Sequence, residues 1–223
     1  MSQYLTKTNE KLSKCDEISS CTTAGISIYH IRLPGVSEFQ APCNGAGWTV
    51  IQRRMDGSVN FNRGWNEYRD GFGYLTGEFF IGLEKLHQIT KSRKHELYIS
   101  LGKVDGSTDF AKFDDFRIGS EKDSYPLESV GNCTGHAGDS LKVHLKMKFT
   151  TYDRDNDLHQ GNCAQTDGGG WWYSSCAHSH LNGRFYNDGK MKNNLYGIFW
   201  GTWQNNDWSV SLTFVEMMIK PSQ

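Results

Sequence analysis

The sequence predicts an α+β fold: an antiparallel sheet carrying short helices, giving way late in the chain to an irregular, loop-rich lobe. Strand-like runs recur through residues 25–119, and two short helical patterns fall among them. From 150 to 210 regular periodicity dissolves into Gly, Asn, Asp and Trp. An irregular stretch of roughly sixty residues is rarely kept for stability alone and more often carries function.

The elements follow in order. GISIYHIR (25–32) and GWTVIQRR (47–54) read as strands, joined by the Pro- and Gly-containing segment LPGVSEFQAPCNGAG. WNEYRDGF (65–72) and FFIGLEKLHQIT (79–90) read as helices; in the second, Phe79, Leu83, Leu86 and Ile89 fall on one side at helical spacing. HELYISLGKV (95–104) and STDFAKFDDFRIG (107–119) form a predicted hairpin around Asp105-Gly106, a favoured tight turn. LKVHLKMKF (141–149) alternates Leu141, Val143, Leu145, Met147 and Phe149 with Lys142, His144, Lys146 and Lys148, which predicts a strand with one buried and one solvated face. SLTFVEMMIKP (211–221) reads as a final strand. Leu5 and Leu12 lie one heptad apart in a polar leader over 1–14, and the domain proper is expected over 15–223.

Composition excludes several function classes. Over 223 residues, 24 Lys and Arg against 25 Asp and Glu give a net charge of −1, with no basic cluster. Nucleic acid and anionic membranes are therefore not expected partners. No run of apolar residues is long enough to span a bilayer, so membrane insertion is not expected. The first fourteen residues are too polar for a signal peptide, so the protein is either cytosolic or a mature fragment with an added Met1. The six cysteines, Cys15, Cys21, Cys43, Cys133, Cys163 and Cys176, favour the second reading. None forms a C-x-x-C pair, and an even, widely spaced set points to disulfides and an extracellular setting. Asn132-Cys133-Thr134 is a glycosylation sequon, as expected of a glycoprotein. Catalytic signatures are lacking: Gly138-Asp139-Ser140 is followed by Leu141, and Gly168-Gly169-Gly170 has no following Lys-Ser/Thr. The protein is not expected to be an enzyme.

The segment DRDNDLHQGNCAQTDGGGWWYSSC (153–176) concentrates charge, glycine and aromatic surface. Asp155 and Asp157, at i and i+2, can converge on a hard cation whose other ligands are carbonyls and water, or form a plain solvated acidic turn. Leu158 and Ala164 stand where an EF-hand needs Gly and Glu, so this is not an EF-hand. Trp171 and Trp172 are adjacent, so at most one faces a pocket.

The motifs GAGWTVIQRRMDGSVNFNRGWNEYRDGFG, GEFFIGLEKLH, GHAGDSL, TYDRDND, GNCA, GGGWWYSSC, HLNGRFY, GIFWGTW and FVEMMIKP, in that order, resemble the fibrinogen C-terminal-like domain across about residues 15–221. The look is nearest to invertebrate fibrinogen-related proteins, ficolins and tachylectins. The resemblance implies a small N-terminal antiparallel part, a central twisted antiparallel sheet with short helices, and a loop-rich C-terminal lobe carrying the sites. It implies disulfides Cys15–Cys43 and Cys163–Cys176, leaving Cys21 and Cys133 to pair with each other or to bridge to another molecule. It also implies calcium as the cofactor, held by the carboxylates of Asp155 and Asp157 and the carbonyls of His159 and Gly161.

Beside that ion the family places its ligand pocket, with a cis bond before the second cysteine, here Ser175–Cys176. The implied pocket residues are Asp167, Cys176, Ala177, His178, Asn194, Tyr196 and Trp208. Ala177 stands where acetyl-binding members have His, Asn194 falls near an aromatic wall position, and Asp167 replaces a Tyr of several acetyl binders. QNND between Trp203 and Trp208 adds polarity, while His180 and Trp200 read as packing residues. The function implied is a secreted, calcium-stabilised, lectin-like recognition module of innate immunity, binding carbohydrate or other acetylated or amine-bearing surface groups (pattern recognition). The alternative is a protein-binding module of the angiopoietin-like or fibrinogen type. Such modules cluster through N-terminal stalks for avidity, so an oligomer formed through a missing stalk is expected.

Overall fold

A computed structural model of the protein describes residues 17–33, 36–192 and 196–222. The leader 1–14, Cys15 and Asn194 lie outside the described residues. In sequence order the strands are β1 (Glu17–Ile18), β2 (Ile26–Ile31), β3 (Phe39–Asn44), β4 (Thr49–Arg54), β5 (Phe72–Gly73), β6 (Phe79–Phe80), β7 (His95–Gly102), β8 (Thr108–Phe113), β9 (Arg117–Ile118), β10 (Leu127–Ser129), β11 (Cys133–Thr134), β12 (Ser179–His180), β13 (Phe199–Trp200) and β14 (Phe214–Pro221). The helices are α1 (Trp65–Asp70), α2 (Leu83–Ser92) and α3 (Cys163–Asp167).

The main sheet runs β1-β2-β3-β4-β14-β7-β8-β11, with β6 branching from β4 and pairing β5. All its pairings are antiparallel except β1 with β2. The C-terminal strand β14 lies in the middle, between β4 and β7, where alternating Val215, Met217 and Ile219 enter the core with Leu97, Ile99 and Leu101. Leu83, Leu86 and Ile89 of α2 join the same core.

Local chemistry explains where the structure departs from the pattern. The segment read as a connection between β2 and β4 contains β3, which pairs with β2 from Phe39 opposite Ile31 to Asn44 opposite Ile26. Pro42 hides this strand from a sequence reading, since Pro is normally confined to edges or bulges. The second helix starts at Leu83, not Phe79: Gly82 takes φ 109, so Phe79-Phe80 stays extended as β6.

Residues 141–149 are not a strand. Asp139 Oδ1 accepts the backbone N–H groups of Leu141 and Lys142, turning the backbone into a 3₁₀ turn over Lys142–His144. Alternation is lost, Val143 is 51 % exposed, and only Lys142, Lys146 and Lys148 keep the expected solvent face. His144 is fully buried instead. Its Nδ1 lies 2.8 Å from the Trp172 carbonyl, and its Nε2 lies 3.2 Å from the backbone nitrogens of both His178 and Ser179. This set needs a neutral ring with the proton on Nδ1. Burial pulls its pKa down to about 4, against the partial support of the Trp172 carbonyl.

The disulfides also differ from expectation. Cys43 pairs with Cys21, not Cys15, across a Cα–Cα distance of 5.4 Å. Cys21 sits in a short 3₁₀ turn (Cys21–Thr23) leading into β2, and strand pairing carries it to Cys43 near the far end of β3. A Cys21–Cys133 bond is thereby excluded; Cys133 keeps a free thiol at the β11 edge. Cys163–Cys176 is present, with Cα atoms 5.6 Å apart.

A histidine held neutral when folded but free to protonate when unfolded makes stability fall as pH drops from its unfolded value near 6.5 toward 4. With the two values about 2.5 apart, the full loss from this residue approaches ~3 kcal/mol. His144→Ala is expected to lower stability by about 2–4 kcal/mol at pH 7.5 and to flatten the decline between pH 6.5 and 4. Urea unfolding across that range checks both; a variant with the parent's slope would remove His144 from this role.

Candidate functional site

The C-terminal lobe is fixed to the sheet by two side chains of β4. Gln52 Nε2 donates to the Leu181 carbonyl (2.9 Å) and to Asn182 Oδ1 (3.2 Å), and Arg54 Nη1 donates to the Gly183 carbonyl (2.7 Å). Asn182 in turn donates from Nδ2 to the Gly170 carbonyl. The glycines make this closeness feasible: a Cβ on Gly169 would lie 2.3 Å from the Asn182 carbonyl oxygen. Trp171 and Trp172 are both fully buried, so neither forms a pocket wall; Trp172 Nε1 donates to the Tyr125 carbonyl.

The acidic loop hangs from this frame. Asn156 Nδ2 donates to the Phe149 carbonyl, and Leu158 N donates to the Ser174 carbonyl at 3.0 Å. Asp155 Oδ1 accepts from Asp157 N; Asp157 accepts from His159 N on one oxygen and from Cys163 N on the other. Partial burial raises the Asp157 carboxyl, its backbone donors oppose this, and the neighbouring Asp155 charge adds to the rise. His159 Nδ1 lies 3.0 Å from the Gly161 carbonyl oxygen. Asp153 does not join the set: its Oδ1 caps α1 through Trp65 N and accepts Thr151 Oγ1.

These donors suit a hard divalent cation. Two carboxylates sit side by side, neither forms an ion pair with Lys or Arg among the described residues, and the flanking ligand groups are carbonyl oxygens. A ring nitrogen of His159 also approaches the sulfurs of Cys163 and Cys176 within 4.8 Å, but those sulfurs are bonded to each other and offer no thiolates.

The expected pocket residues separate into two groups. His178, Tyr196 and Trp208 assemble around Phe199 of β13. Ring centroids are 5.0 Å apart for Phe199–Trp208, and 6.0 Å apart for both Tyr196–Phe199 and His178–Trp208. Tyr196 and Trp208 remain partly exposed. His178 Nε2 reaches Asn206 Oδ1 (2.9 Å), on a turn where Asn205 and Asn206 are left-handed at φ 51 and 59. Ala177 and Cys176 are partly buried against the core, and Ser175–Cys176 is cis. Gln204 is buried, accepting Trp200 N and donating to the Val210 carbonyl, so it braces this loop rather than facing a ligand. His180 is fully buried against Tyr173.

Asp167 sits apart, at the end of α3 and almost fully buried. Burial raises its carboxyl to about 6, with Asp157 adding to the rise and Arg184 and His159 opposing it. It therefore belongs electrostatically with the ion loop and Arg184. Sequence reasoning missed Arg184 and His144; Arg184 lay inside a motif read only for its order, and His144 was masked by false alternation.

The family model described as the C-terminal globular domain of fibrinogen beta and gamma chains matches residues 12–222. Fibrinogen C domain-containing protein 1-A of Xenopus laevis is 45 % identical over 206 residues, covering 88 % of this chain and 44 % of that protein. Human fibrinogen-like protein 1 is 39 % identical over 226 residues, covering 93 % of this chain and 72 % of that protein. This chain thus spans less than half the length of the first of these relatives. Among solved structures, the fibrinogen-like globe domain of human ANGPTL2 superposes with a TM-score of 0.88 at 39 % identity, covering 92 % of this chain and 99 % of that one. Lamprey fibrin D-dimer, solved with the peptide Gly-His-Arg-Pro-amide, superposes with a TM-score of 0.87 at 33 % identity, covering 99 % and 84 %. No described helix is long and apolar enough to cross a membrane. The motif order, the sheet with its clamped C-terminal lobe and these matches lead to one conclusion: the protein belongs to the fibrinogen C-terminal globular domain family.

Proposed function

We propose that the protein is an extracellular binding module that recognises a protein or peptide partner through its C-terminal lobe, with a calcium ion bracing the 153–163 loop. The observation that carries the reading is the partly exposed cluster of Tyr196, Trp208 and His178 around Phe199, held on a pinned loop. Aromatic side chains with polar tips suit interface anchors because they bury large area at low entropy cost. Ala177 offers no ring, which weakens the acetyl-sugar arrangement. The peptide carried by the lamprey relative, with a free amine and an arginine, shows what chemistry a domain of this family can hold. Chemistry on the ligand is not part of this reading: Ser140 is buried, with its hydroxyl 2.8 Å from Thr202 Oγ1.

The lectin-like reading has one observation in its favour: the same ring faces could stack on a sugar. Immobilised protein is to be titrated in calcium with Gly-His-Arg-Pro-amide and with N-acetylglucosamine. Saturable binding of the peptide, lowered at least tenfold by Trp208→Ala with little change in melting temperature, is the expected result. Binding of the sugar alone would replace the protein-binding reading with the lectin-like one.

The ion would be held by Asp155 and Asp157 with the carbonyls of His159 and Gly161, and it would supply charge neutralisation and loop rigidity. An extracellular site of this kind binds at about 10⁻⁴–10⁻³ M. Millimolar calcium is expected to raise the melting temperature by several degrees, and Asp155→Ala with Asp157→Ala to abolish that rise. An unchanged calcium response in the double variant would remove the ion from this loop.

A further inference from the structure

A second polar cavity, separate from the aromatic cluster, opens between the 57–62 loop and the 183–185 segment. Its volume is about 460 Å³, and Arg54, Arg184, Asn60, Asn62 and Phe185 are among its lining residues. The two arginines differ in state. Arg54 is fully buried, 3.6 Å from Glu78, stacked 3.9 Å from the Phe61 ring centroid, and bonded to the Gly183 carbonyl. Its charge is balanced, and its work is to hold the backbone at residue 183. The next residue, Arg184, makes no side-chain hydrogen bond or ion pair among the described residues, and its buried Nε has no acceptor. Its guanidinium lies against Gly168, where an added Cβ would meet Nε at 2.9 Å.

Nearby carboxylates leave Arg184 unmatched. Glu78 spends its oxygens on the backbone N–H groups of Met55, Asp56, Gly57 and Val59. Asp56 accepts the backbone N–H of Ser58. Asp167 acts on Arg184 only through space, without ion-pair contact. On the rim, Asn60 Oδ1 already accepts Asn62 N, which leaves the Asn60 Nδ2 amide as a donor. A guanidinium lacking acceptors, an amide donor and an aromatic face around one cavity match a polar molecule carrying a carboxylate, sulfate or phosphate group.

We propose that this cavity binds the oxyanion group of a small polar ligand, with Arg184 as its anchor and Asn60 as a second donor. The inference does not rest on the aromatic cluster or on the calcium loop. The cavity exceeds what a bare tetrahedral ion fills, so the anion is expected as part of a larger molecule.

Isothermal titration of the 223-residue protein with glucose 6-sulfate, inorganic sulfate and glucose tests this. Expected is binding in the order glucose 6-sulfate, then sulfate, then glucose. Arg184→Gln should weaken the sulfated sugar at least tenfold, and Arg184→Lys should keep part of the affinity, since it retains the charge and loses the planar fork. Asp167→Asn should tighten binding several-fold by removing the opposing charge. No binding of either anion, or equal affinity in the parent and Arg184→Gln, overturns the proposal. Where Arg184→Gln fails to fold, Asp167→Asn decides: tighter binding supports the site, and unchanged affinity overturns it.

Discussion

The buried pair of Arg54 and Glu78 ties the sheet to everything that follows. Both side chains are essentially inaccessible to water; Glu78 is bonded by backbone groups of the turn that follows β4, and Arg54 by distant carbonyls through Nη1, while its Nε faces Glu78 at 3.6 Å without a hydrogen bond. Glu78 gathers four backbone N–H groups of the 55–59 turn, while Arg54 reaches the carbonyls of Leu181 and Gly183. Burial lowers the guanidinium to about 10 and Glu78 opposes this, so the group stays charged at neutral pH. Desolvating two ions is costly, and replacing a buried pair with apolar groups is often neutral or stabilising; breaking one partner costs about 3–5 kcal/mol. The pair is therefore better understood as a device of placement than of stability. It sets the 181–184 segment against β4 and so directs what lies on either side of it.

The sheet was legible in the sequence where side chains alternate and stay alternately buried. HELYISLG satisfies both conditions, with His95, Leu97, Ile99 and Leu101 buried along β7. Residues 141–149 satisfy the first and fail the second, because two N–H groups bind Asp139 Oδ1 and turn the backbone before a strand can pair. Period-two patterning reports a strand only when a neighbour accepts its backbone, and no composition statistic carries that information. Pro42 is the converse: a strand hidden by a residue that usually excludes one.

At the site, the acidic loop was legible because its ligands are close in sequence. Asp155, Asp157, His159 and Gly161 need only local geometry to converge. The pocket was harder, since its parts come from His178 just before β12, Tyr196 and Phe199 at β13, and Trp208 after the 204–207 turn, and the position of Asp167 depends on where α3 ends. The cysteine pairing failed for a related reason: Cys15 and Cys21 lie close in sequence, and only the approach into β2 selects Cys21 as the partner of Cys43.

One stretch of backbone links the ion loop to the Arg184 cavity. Residues 163–184 run from the disulfide and α3, past Gly168–Gly170, to the cis bond at Ser175–Cys176 and on to Arg184. Asp167 stands between them in charge: burial raises its carboxyl most, Asp157 adds to that rise and Arg184 opposes it. A cation near Asp157 would withdraw part of the negative field that Asp167 feels, favouring its ionised form and strengthening its hold on Arg184. An anion at Arg184 would act in the opposite sense, stabilising the protonated acid. Were both proposed sites filled, linkage would make any effect of one on the other reciprocal, and Asp167 is the buried carboxyl on which the charges of Asp157 and Arg184 both act.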